Sequence, residues 1–237
     1  MMSSLYAQIT TYCNMSCPHC SFGCRVGNPN AEHMSLATYR KVLKLANAME
    51  SVICLGGGEP TIHPEFPRFL LMAMGAPNVE GVFVATNGKV QDYAVALARI
   101  AGWQGEYQFL ETCLSVDPYH EEVAARVYDE FEGRGHEMRD VTQTYLGVAN
   151  LGSAKKNGLG ETDHCACQVP FVNPHGDIFM CGCEGSLQIG HIADPIEDLL
   201  IAITAAVTVM EHTDNCGRHY NDLYEVEHTC RRLKEHL

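Results

Sequence analysis

The chain has 237 residues, of which 46% are hydrophobic, and a formal net charge of −13 at pH 7. This length fits one domain, or one domain with a small appendage. A strongly acidic surface repels phosphate backbones, so nucleic acid is disfavoured as a partner. The first dozen residues lack a basic start and an apolar run, and the longest apolar stretch, residues 199–210, is too short to span a bilayer. We therefore expect a cytoplasmic protein with no membrane partner.

Strand-like and helix-like segments alternate over the first 150 residues. Short β-rich runs predict five strands, at residues 5–11, 51–55, 81–85, 108–116 and 141–148. Apolar residues at helical spacing predict four helices between them, at residues 36–49, 64–74, 93–100 and 118–131. Ser35 is the expected N-cap of the first helix. This alternation predicts βαβ units and an α/β fold with a parallel sheet, of about five units where a closed barrel has eight.

The sequence changes in character after the fifth predicted strand. Residues 149–162 are rich in Gly, Ser, Asn and Lys and are predicted to form a loop. A hairpin is predicted around residues 173–177, and a helix from Pro195. We place a domain boundary that separates a core at residues 1–160 from a small cysteine-rich region at residues 161–237.

Twelve cysteines are unusual for a cytosolic chain of this length. Disulfides are rare in a reducing cytosol, so clustered thiols there indicate metal or redox chemistry. Four cysteines lie between residues 13 and 24 and four more between residues 165 and 183, whereas Cys54 and Cys113 stand alone. The two groups are therefore the candidate metal sites.

The first group, CNMSCPHC, follows directly on the first predicted strand. Three thiolates on so short a loop can converge on one face of a cubane cluster. A fully sequestered iron–sulfur cluster uses four cysteines, so three leave one iron open to an outside ligand. Cys24 could supply a fourth thiolate, which keeps a structural zinc site or a ferredoxin-like site open as alternatives.

This loop resembles the C-x3-C-x2-C signature of the radical SAM superfamily. The resemblance implies that Cys13, Cys17 and Cys20 bind a [4Fe–4S] cluster whose open iron is chelated by S-adenosylmethionine. An electron from the cluster would then cleave that cofactor to methionine and a 5′-deoxyadenosyl radical. His19, before the third cysteine, would contact adenine, whereas Cys24 is expected to be a small hydrophobic side chain beside the site. The implied fold is a partial (β/α)6 TIM-like barrel, and the implied electron donor is a reductase such as flavodoxin or ferredoxin.

The second predicted strand ends in the sequence GGGEP. Glycines let the backbone approach a ligand, and a carboxylate there can accept from an ammonium group. The segment resembles the Gly-Gly-Glu motif of the same family, which implies that Gly57, Gly58 and Glu59 hold the methionine amino group of the cofactor. The alternative is a turn with a solvated glutamate.

Polar residues also follow the third and fourth predicted strands. The resemblance implies that Asn87, Ser115 and Asp117 contact the ribose and carboxylate of the cofactor. Turn formation by Asn87 and helix capping by Asp117 are the alternatives. The sequence shows no set of histidines and carboxylates at strand ends for a mononuclear metal.

Strand parity places Cys113 on the same face as Ser115. Its thiol could point into the barrel and donate a hydrogen atom to a substrate radical, so it is the candidate catalytic residue. A buried small cysteine is the alternative. His120 is a candidate general acid or base, or else a histidine on the surface at the start of a helix.

The second cysteine group, residues 164–183, resembles the opening of the SPASM and twitch subdomains, which hold auxiliary clusters in many radical SAM enzymes. The resemblance implies a C-terminal twitch-like subdomain with an auxiliary iron–sulfur cluster. Two four-cysteine sets remain open, one made of the pairs Cys165/Cys167 and Cys181/Cys183, and a preferred one made of Cys165, Cys181, Cys216 and Cys230. A zinc knuckle is the further alternative.

Together these motifs predict a radical SAM enzyme that abstracts a hydrogen atom from a substrate. The substrate is a small molecule or a peptide, and the outcome is an oxidation, a rearrangement, or formation of a thioether or C–C bond. The cysteine loop begins at residue 13, with no obvious peptide-recognition domain before it, which favours a small molecule. The alternative function is a non-catalytic iron–sulfur or zinc scaffold that binds a partner protein.

Overall fold

The computed structural model describes residues 4–103, 109–144, 147–162, 169–213 and 224–234. They form an α/β fold around one sheet. Its strands are β1 Ser4–Thr10, β2 Val52–Gly57, β3 Gly81–Thr86, β4 Leu110–Ser115, β5 Glu137–Arg139, β6 Phe171–Val172, β7 Asp177–Phe179 and β8 Gln188–His191. The helices are α1 Leu36–Ala48, α2 Phe66–Met74, α3 Gln91–Gly102, α4 Ala125–Gly133, α5 Gly152–Asn157, α6 Ile196–Thr213 and α7 Tyr224–Lys234.

The sheet has the strand order β5-β4-β3-β2-β1-β6-β7-β8. Strands β1 to β5 are parallel neighbours in chain order with helices between them, which confirms the α/β class and the mostly parallel sheet. Strand β6 is also parallel but pairs with β1, so the sixth parallel strand lies at the far side of the sheet from β5. Strands β7 and β8 extend that side in antiparallel fashion.

Alternation along the strands separates the hydrophobic core from the site. In β1, Leu5, Ala7 and Ile9 are buried against α1 and α2 in the main core cluster, whereas Tyr6 lines a cavity on the other face of the sheet. Helix α1 begins as predicted, because the Ser35 side chain accepts a hydrogen bond from the Thr38 amide at 3.0 Å. The helices therefore cover one face and leave the opposite face available for a ligand.

The prediction that a helix runs from Pro118 was wrong over its first seven residues. Helix α4 begins only at Ala125. The Asp117 carboxylate accepts from the Tyr119 amide at 3.1 Å, and the Asp117 carbonyl accepts from the His120 amide at 3.0 Å. These bonds close a tight turn that competes with the first helical turn.

Two further predictions between residues 137 and 162 were wrong. The strand predicted at 141–148 begins instead as a 3-10 helix, Val141–Gln143, whose N-cap is Asp140, and the strand of this unit is the preceding β5. The loop predicted at 149–162 contains helix α5, which ends at Gly158 in the left-handed conformation, at φ 67°. Both errors involve elements of three to six residues, which are too short for a periodic pattern.

The C-terminal elements follow the prediction more closely. The Asn173 side chain accepts from the amides of the next turn, which forms the predicted hairpin between β6 and β7. Helix α6 begins directly after Pro195, also as predicted. Because β6 pairs with β1, the sheet continues across the predicted boundary between residues 160 and 161, and that boundary stays a prediction. No helix among the described residues has the length and apolar character needed to cross a membrane.

Candidate active site

A cavity of about 300 Å³ lies at the carboxyl ends of the parallel strands. Such strand ends are where parallel α/β folds place their ligands. All ten residues predicted for the first cluster and its cofactor line this cavity: Cys13, Cys17, Cys20, His19, Gly57, Gly58, Glu59, Asn87, Ser115 and Asp117. The sequence prediction therefore brought together residues from the cysteine loop and from three strand ends.

The cysteine loop folds through two tight turns after β1. The Cys20 amide donates to the Cys17 carbonyl at 3.2 Å, and the Gly23 amide donates to the Cys20 carbonyl at 3.1 Å. Cys13, Cys17 and Cys20 are partly exposed to the cavity, whereas Cys24 is buried. A hydrogen bond from the Cys24 thiol, opposed by burial and helped by nearby backbone amides, lowers the pKa of Cys20. A lowered thiol pKa favours the thiolate, which is the form that binds metal.

The spacing of the thiols bears on the zinc alternative. A tetrahedral zinc ion with Zn–S bonds of about 2.3 Å holds its sulfurs about 3.8 Å apart. In the described part of the chain, no three cysteine sulfurs lie within 4.8 Å of one another. The described cysteines are therefore not arranged as three sulfur ligands of one zinc ion in this structure.

The glycine motif has a structural role that its sequence interpretation missed. A Cβ atom on Gly57 would lie 1.9 Å from the Thr10 carbonyl oxygen, and one on Gly58 would lie 2.0 Å from the Tyr12 carbonyl oxygen. The Gly58 amide donates to that Thr10 oxygen at 2.9 Å. The glycines therefore permit close contact between the end of β2 and the start of the cysteine loop, in addition to any contact with a ligand.

Glu59 is only 1% exposed, which excludes the alternative of a solvated glutamate. Its carboxylate accepts from the Thr61 amide at 3.2 Å and the Thr61 hydroxyl at 2.5 Å. It also accepts from the Thr86 hydroxyl and the Asn87 amide, each at 2.8 Å. Burial raises the pKa of Glu59, and these hydrogen bonds oppose that rise. The carboxylate thus links the ends of β2 and β3, while its contact with a methionine amino group stays a prediction.

Asn87 joins the end of β3 to the cysteine loop. Its side-chain nitrogen donates to the Asn14 side-chain oxygen at 2.9 Å and lies 3.8 Å from the Cys13 sulfur. Its side-chain oxygen accepts from the Lys89 amide at 3.0 Å, which is the turn role considered for this residue. Asn87 therefore both forms the turn and contacts Cys13, a predicted cluster ligand.

The prediction that no histidine–carboxylate set exists was wrong. Asp117 lies between His120, with Nδ1 2.9 Å from Oδ1, and His19, with Nε2 3.5 Å from Oδ2. The three possible ligand atoms lie within 4.8 Å of one another. The attraction between one buried carboxylate and two imidazoles explains this cluster without a metal ion. The i, i+3 spacing of Asp117 and His120 was the sequence signal for this contact. It was missed because both residues were interpreted as the start of the predicted helix.

The charges of this cluster follow from its contacts. Burial opposes the cation of His120, but its contacts with Asp117 and Cys17 outweigh burial and raise the pKa of His120 to about 10. Burial also opposes the carboxylate, yet the two histidines lower the pKa of Asp117. For His19 burial prevails over the attraction of Asp117 and lowers its pKa.

Of the two isolated cysteines, Cys54 lines the cavity, whereas Cys113, the predicted hydrogen-atom donor, does not. Cys113 is on the predicted face of β4 but is 0% exposed and does not line the cavity. Burial raises the pKa of Cys113 to about 11. Cys54, on β2, lines the cavity. A hydrogen-atom donor must contact its substrate, so Cys54 meets that requirement in this conformation, and the role of Cys113 stays a prediction.

Arg139, at the end of β5, is a further cavity residue that the sequence did not predict. Its guanidinium lies 5.5 Å from the centre of the Phe83 ring and pairs with Glu137 at 3.0 Å. The predicted fifth strand began two residues later, so Arg139 fell between predicted elements. Arg139 is the last residue of β5, and with two charged residues out of three this strand gives no apolar pattern in the sequence.

Only some cysteines of the second group lie within the described residues. Cys165, Cys167 and Cys216 lie outside the described residues. Cys181 and Cys183 are buried beside Leu151 in an apolar cluster and border a second cavity of about 460 Å³. Cys230 packs with the apolar cluster of α6 and α7, with its sulfur 4.0 Å from the Ile201 carbonyl oxygen. The described cysteines of this group do not form a trio of close sulfurs, so the auxiliary cluster stays a prediction.

The residues of the first site fit a [4Fe–4S] cluster with bound S-adenosylmethionine. Three thiols of one loop line the cavity and are partly exposed, and Cys24, the possible fourth ligand, also lines it but is buried beside Cys20. The buried Nδ1 atom of His19 has no hydrogen-bond partner among the described residues, so it is available to a ligand. Both observations match a cluster with one open iron and a cofactor that reaches His19.

Comparisons with known proteins agree with this fit. The family model of the radical SAM superfamily matches residues 7–141, more than half of the chain. The GTP 3′,8-cyclase of Vibrio atlanticus (strain LGP32) is 31% identical over 101 residues, and that of Chlorobaculum tepidum is 27% identical over 106 residues. These matches cover 41% and 44% of this chain but only 30% and 31% of the two relatives. The chain thus matches about a third of the length of these curated relatives.

Two solved structures share the fold at low sequence identity. The structure of BtrN in complex with AdoMet and 2-DOIA superposes with a TM-score of 0.61 at 13% identity, covering 94% of both chains. Native anSMEcpe with bound AdoMet gives a TM-score of 0.54 at 14% identity, covering 84% of this chain and 80% of the other. The chain belongs to the radical SAM superfamily, and a [4Fe–4S] cluster and S-adenosylmethionine are its cofactors.

Proposed function

We propose that the chain is an enzyme that reductively cleaves S-adenosylmethionine and abstracts a hydrogen atom from a small-molecule substrate. The observation that carries the proposal is the convergence of all ten predicted site residues on one cavity. When bound, the cluster and S-adenosylmethionine supply a 5′-deoxyadenosyl radical. The task of the protein is to hold one substrate C–H bond against that radical and to exclude water.

The residues of the chain divide this task among them. We assign cluster binding to Cys13, Cys17 and Cys20, whose loop is fixed by the glycine motif and by Asn87. The unpartnered His19 nitrogen and the side chain of Ser115 are available to the adenosine part of the cofactor. Apolar side chains from the loop and from β3, including Met15 and Phe83, line the same cavity and keep water from the reacting atoms.

The substrate class is inferred from the lining of the cavity. Arg139 is the only lysine or arginine among the described residues that line it, and Glu137 already pairs with that guanidinium. A polyphosphate such as the GTP named for the curated relatives would need more positive charge. The fold of BtrN, whose structure contains 2-DOIA, covers 94% of this chain at 13% identity, whereas the match to the Vibrio atlanticus cyclase covers 41% of it at 31% identity. We therefore favour a neutral or singly charged small molecule over a nucleotide or a peptide.

The second cysteine group would then serve as the auxiliary cluster of a twitch-like subdomain. An auxiliary cluster with four protein ligands, Cys165, Cys181, Cys216 and Cys230, would favour electron transfer and hence a net oxidation. One with three protein ligands would favour direct contact with the substrate. A reductase such as flavodoxin or ferredoxin is the proposed source of electrons for the first cluster.

The test is anaerobic reconstitution with iron and sulfide, reduction with dithionite, and addition of S-adenosylmethionine. We expect release of 5′-deoxyadenosine and about eight irons per chain, which corresponds to two cubanes. Cleavage with about four irons per chain would support the enzymatic function. It would also indicate that the second cysteine group is a zinc or thiol site. Bound zinc without cleavage would overturn the proposal in favour of the non-catalytic scaffold.

A further inference from the structure

The second cavity, of about 460 Å³, lies between the two cysteine groups. Ser21 and Phe22 of the first cysteine loop line it, and so do Cys181 and Cys183 of the second group. The same two residues of the first loop also line the first cavity. The two cavities are therefore neighbours, and a molecule in the second would lie beside the predicted cofactor site.

The size of the first cavity leaves little room for a substrate. Pockets that hold one small molecule have volumes of about 300–1000 Å³. The first cavity measures about 300 Å³, and by the assignment above both the cluster and S-adenosylmethionine have to fit there. A substrate therefore needs additional space, and the second cavity adjoins the first.

Gln8, in β1, lines the second cavity with a buried side chain, only 7% exposed. Its amide group has one acceptor and two donor positions, yet it forms no hydrogen bond with the other residues that the structure describes. By contrast, the Asn173 side chain donates to Asp177 at 2.9 Å, and the Ser186 hydroxyl accepts from the Cys181 amide at 3.0 Å. Buried polar groups are normally paired, so the unpartnered amide indicates a ligand.

Aromatic rings form much of the lining of the second cavity. The ring of Phe171 stacks on that of Phe22, with centres 5.7 Å apart, and lies 6.3 Å from the ring of Phe179. A Cβ atom on Gly182 would lie 2.9 Å from the Phe171 ring, so the second cysteine segment packs directly on these rings. Aromatic faces bury apolar surface well. The rings therefore favour a molecule with one flat or apolar face.

The charged side chains of the lining set a further limit on the ligand. Among the described residues that line the second cavity, one basic and one acidic side chain occur, Lys156 and Glu184, and both are exposed. Their charges are opposite and cancel. A charged group buried without a partner is costly, so a molecule with several charges is disfavoured in this cavity.

We propose that the second cavity is the substrate site and that Gln8 is its specificity-determining residue, which binds a hydroxyl or amide group of an uncharged molecule with one apolar face. Hydroxyl and amide groups both donate and accept, so either can meet the carbonyl oxygen and the amino group of Gln8 together. The inference rests on the proposed function, because it assigns the first cavity to the cofactor. It narrows the substrate class proposed above to uncharged molecules.

Two other occupants of the second cavity compete with this assignment. Water could satisfy the Gln8 amide, because polar cavities of this size can hold ordered water. An auxiliary cluster bound by Cys181 would fill part of the same space, because Cys181 lines the cavity. A binding experiment with a small probe separates both occupants from a substrate.

The probe is benzamide, a flat ring that carries one amide group. The protein is the reconstituted, unreduced enzyme saturated with S-adenosylmethionine, and ligand-detected NMR measures binding. We expect a dissociation constant of about 1 mM, which is ordinary for a ligand of so few atoms. Gln8→Met keeps the size of the side chain and removes its hydrogen-bonding groups. We expect it to weaken binding about tenfold, the effect of one or two net hydrogen bonds.

A second probe and a control variant make this experiment specific. Acetophenone has a methyl group in place of the amide nitrogen of benzamide, so it cannot donate a hydrogen bond. The parent should prefer benzamide, whereas Gln8→Met should bind both probes about equally. Gln143→Met is the matched control and should behave like the parent, because Gln143 is exposed, bonds Asp140 and lines neither cavity. If Gln8→Met does not fold, Gln8→Asn, which withdraws the amide by one methylene, should show the same loss.

The outcomes distinguish this inference from the proposed function. Equal binding of benzamide by the parent and the Gln8 variants, or no binding at all, overturns the inference and leaves the cavity to water. Displacement of benzamide by S-adenosylmethionine also overturns it, because the probe then occupied the first cavity. Binding at about four irons per chain that is lost at about eight overturns it in favour of the auxiliary cluster.

Two results remain to be told apart. Binding of benzamide that depends on Gln8, in enzyme that holds S-adenosylmethionine and its full iron content, supports the inference. A parent that releases no 5′-deoxyadenosine after reduction overturns the proposed function and the substrate role of the second cavity. The binding of benzamide through Gln8 stays measurable in that protein, so failure of the site and failure of the enzyme are seen separately.

Discussion

The two cysteine regions of the molecule differ in what surrounds their sulfurs. The thiols of the first loop are partly exposed to a cavity, and buried polar side chains border them, including Glu59, Asn87 and Asp117. The described thiols of the second group lie in apolar clusters, Cys181 beside Leu151 and Cys230 between α6 and α7. The same residue type thus occurs in two very different environments within one fold.

This difference matters because buried polar groups are costly unless they are hydrogen-bonded. In the first region each of the carboxylates is bonded, Glu59 to two strand ends and Asp117 to its own turn, and the bonds extend to the cysteine loop through Asn87. Such a network orients ligands and influences their chemistry. In the second region, the described cysteine side chains pack in apolar clusters, and polar side chains such as Asn173 and Asp177 bond within the hairpin. The polar contacts of the first region, in contrast, reach its cysteine loop.

The largest expected effect separates the two regions directly. Cys17→Ala should abolish release of 5′-deoxyadenosine, because two thiolates hold a cubane poorly. Cys181→Ala should retain that release and reduce only turnover of the true substrate, because Cys181 lies outside the first cavity. The measurement is anaerobic chromatography of 5′-deoxyadenosine with and without substrate.

Either variant could break the comparison. Release of 5′-deoxyadenosine at the parent rate by Cys17→Ala would show that the first loop is not required for cofactor cleavage. Complete loss of iron and of folded protein in Cys181→Ala would show that the second region is required for the fold of the first. Circular dichroism of both variants separates this second outcome from a specific effect on substrate.

Met180 tests whether apolar packing dominates the second region. This side chain is fully buried against Ala205, Met210 and Val226. Met180→Ala should lower the free energy of unfolding by about 3 kcal/mol, because it leaves a cavity in the cluster. The folded fraction should still cleave S-adenosylmethionine at the parent rate. The control is Leu71→Ala, because the Leu71 side chain is 68% exposed. Its free energy of unfolding, measured in urea, should change by no more than about 0.5 kcal/mol. A similar small change for Met180→Ala would contradict the claim.

The first region was the more predictable of the two from sequence. Its three cysteines are close in the chain, so their spacing predicts a metal site, and the resemblance to the radical SAM signature favours a cluster over zinc. The strand-end residues, such as Asn87 and Ser115, could be predicted because carboxyl ends of neighbouring parallel strands meet at one edge of a sheet. The resemblance to the radical SAM family, together with sheet topology, therefore identified the ten predicted residues that line the cavity.

The remaining features depend on three-dimensional packing. The side chain of Asp117 closes a turn in place of the predicted helix, and this turn brings His120 within 2.9 Å of the Asp117 carboxylate. Strand alternation gives the face of Cys113 but not its depth, so the exposure of Cys54 in its place could not be predicted. Strand β5 has only three residues, too few for a pattern, and Arg139 was missed with it.

Glu59 tests the importance of the polar network, with an intermediate expected effect. All four of its hydrogen-bond partners are donors. Glu59→Gln would turn an amide group toward at least one of these donors and leave it unsatisfied, so we expect a loss of about 2 kcal/mol in the free energy of unfolding. Glu184→Gln, at an exposed position of the second region, is the matched control and should change urea unfolding little. Equal stabilities of the two variants would mean that the first region is held by packing alone.

The smallest expected effect is a pH dependence that arises from His63, which follows the glycine motif. The buried ring accepts from the Glu65 amide at Nδ1, 3.0 Å away, so Nδ1 holds no proton and the ring is neutral, with Nε2 2.9 Å from the Met34 carbonyl oxygen. Burial lowers the pKa of His63 below 6.5, despite the opposing contacts with Met34 and Glu65. As the pH falls below 6.5, His63 binds a proton more readily in the unfolded chain than in the folded protein. The free energy of unfolding therefore decreases toward lower pH. The free energy of unfolding of the parent should therefore approach that of His63→Gln as the solution is acidified. A difference between the two proteins that stays constant with pH would show that burial and the contacts with Met34 and Glu65 do not keep this ring neutral.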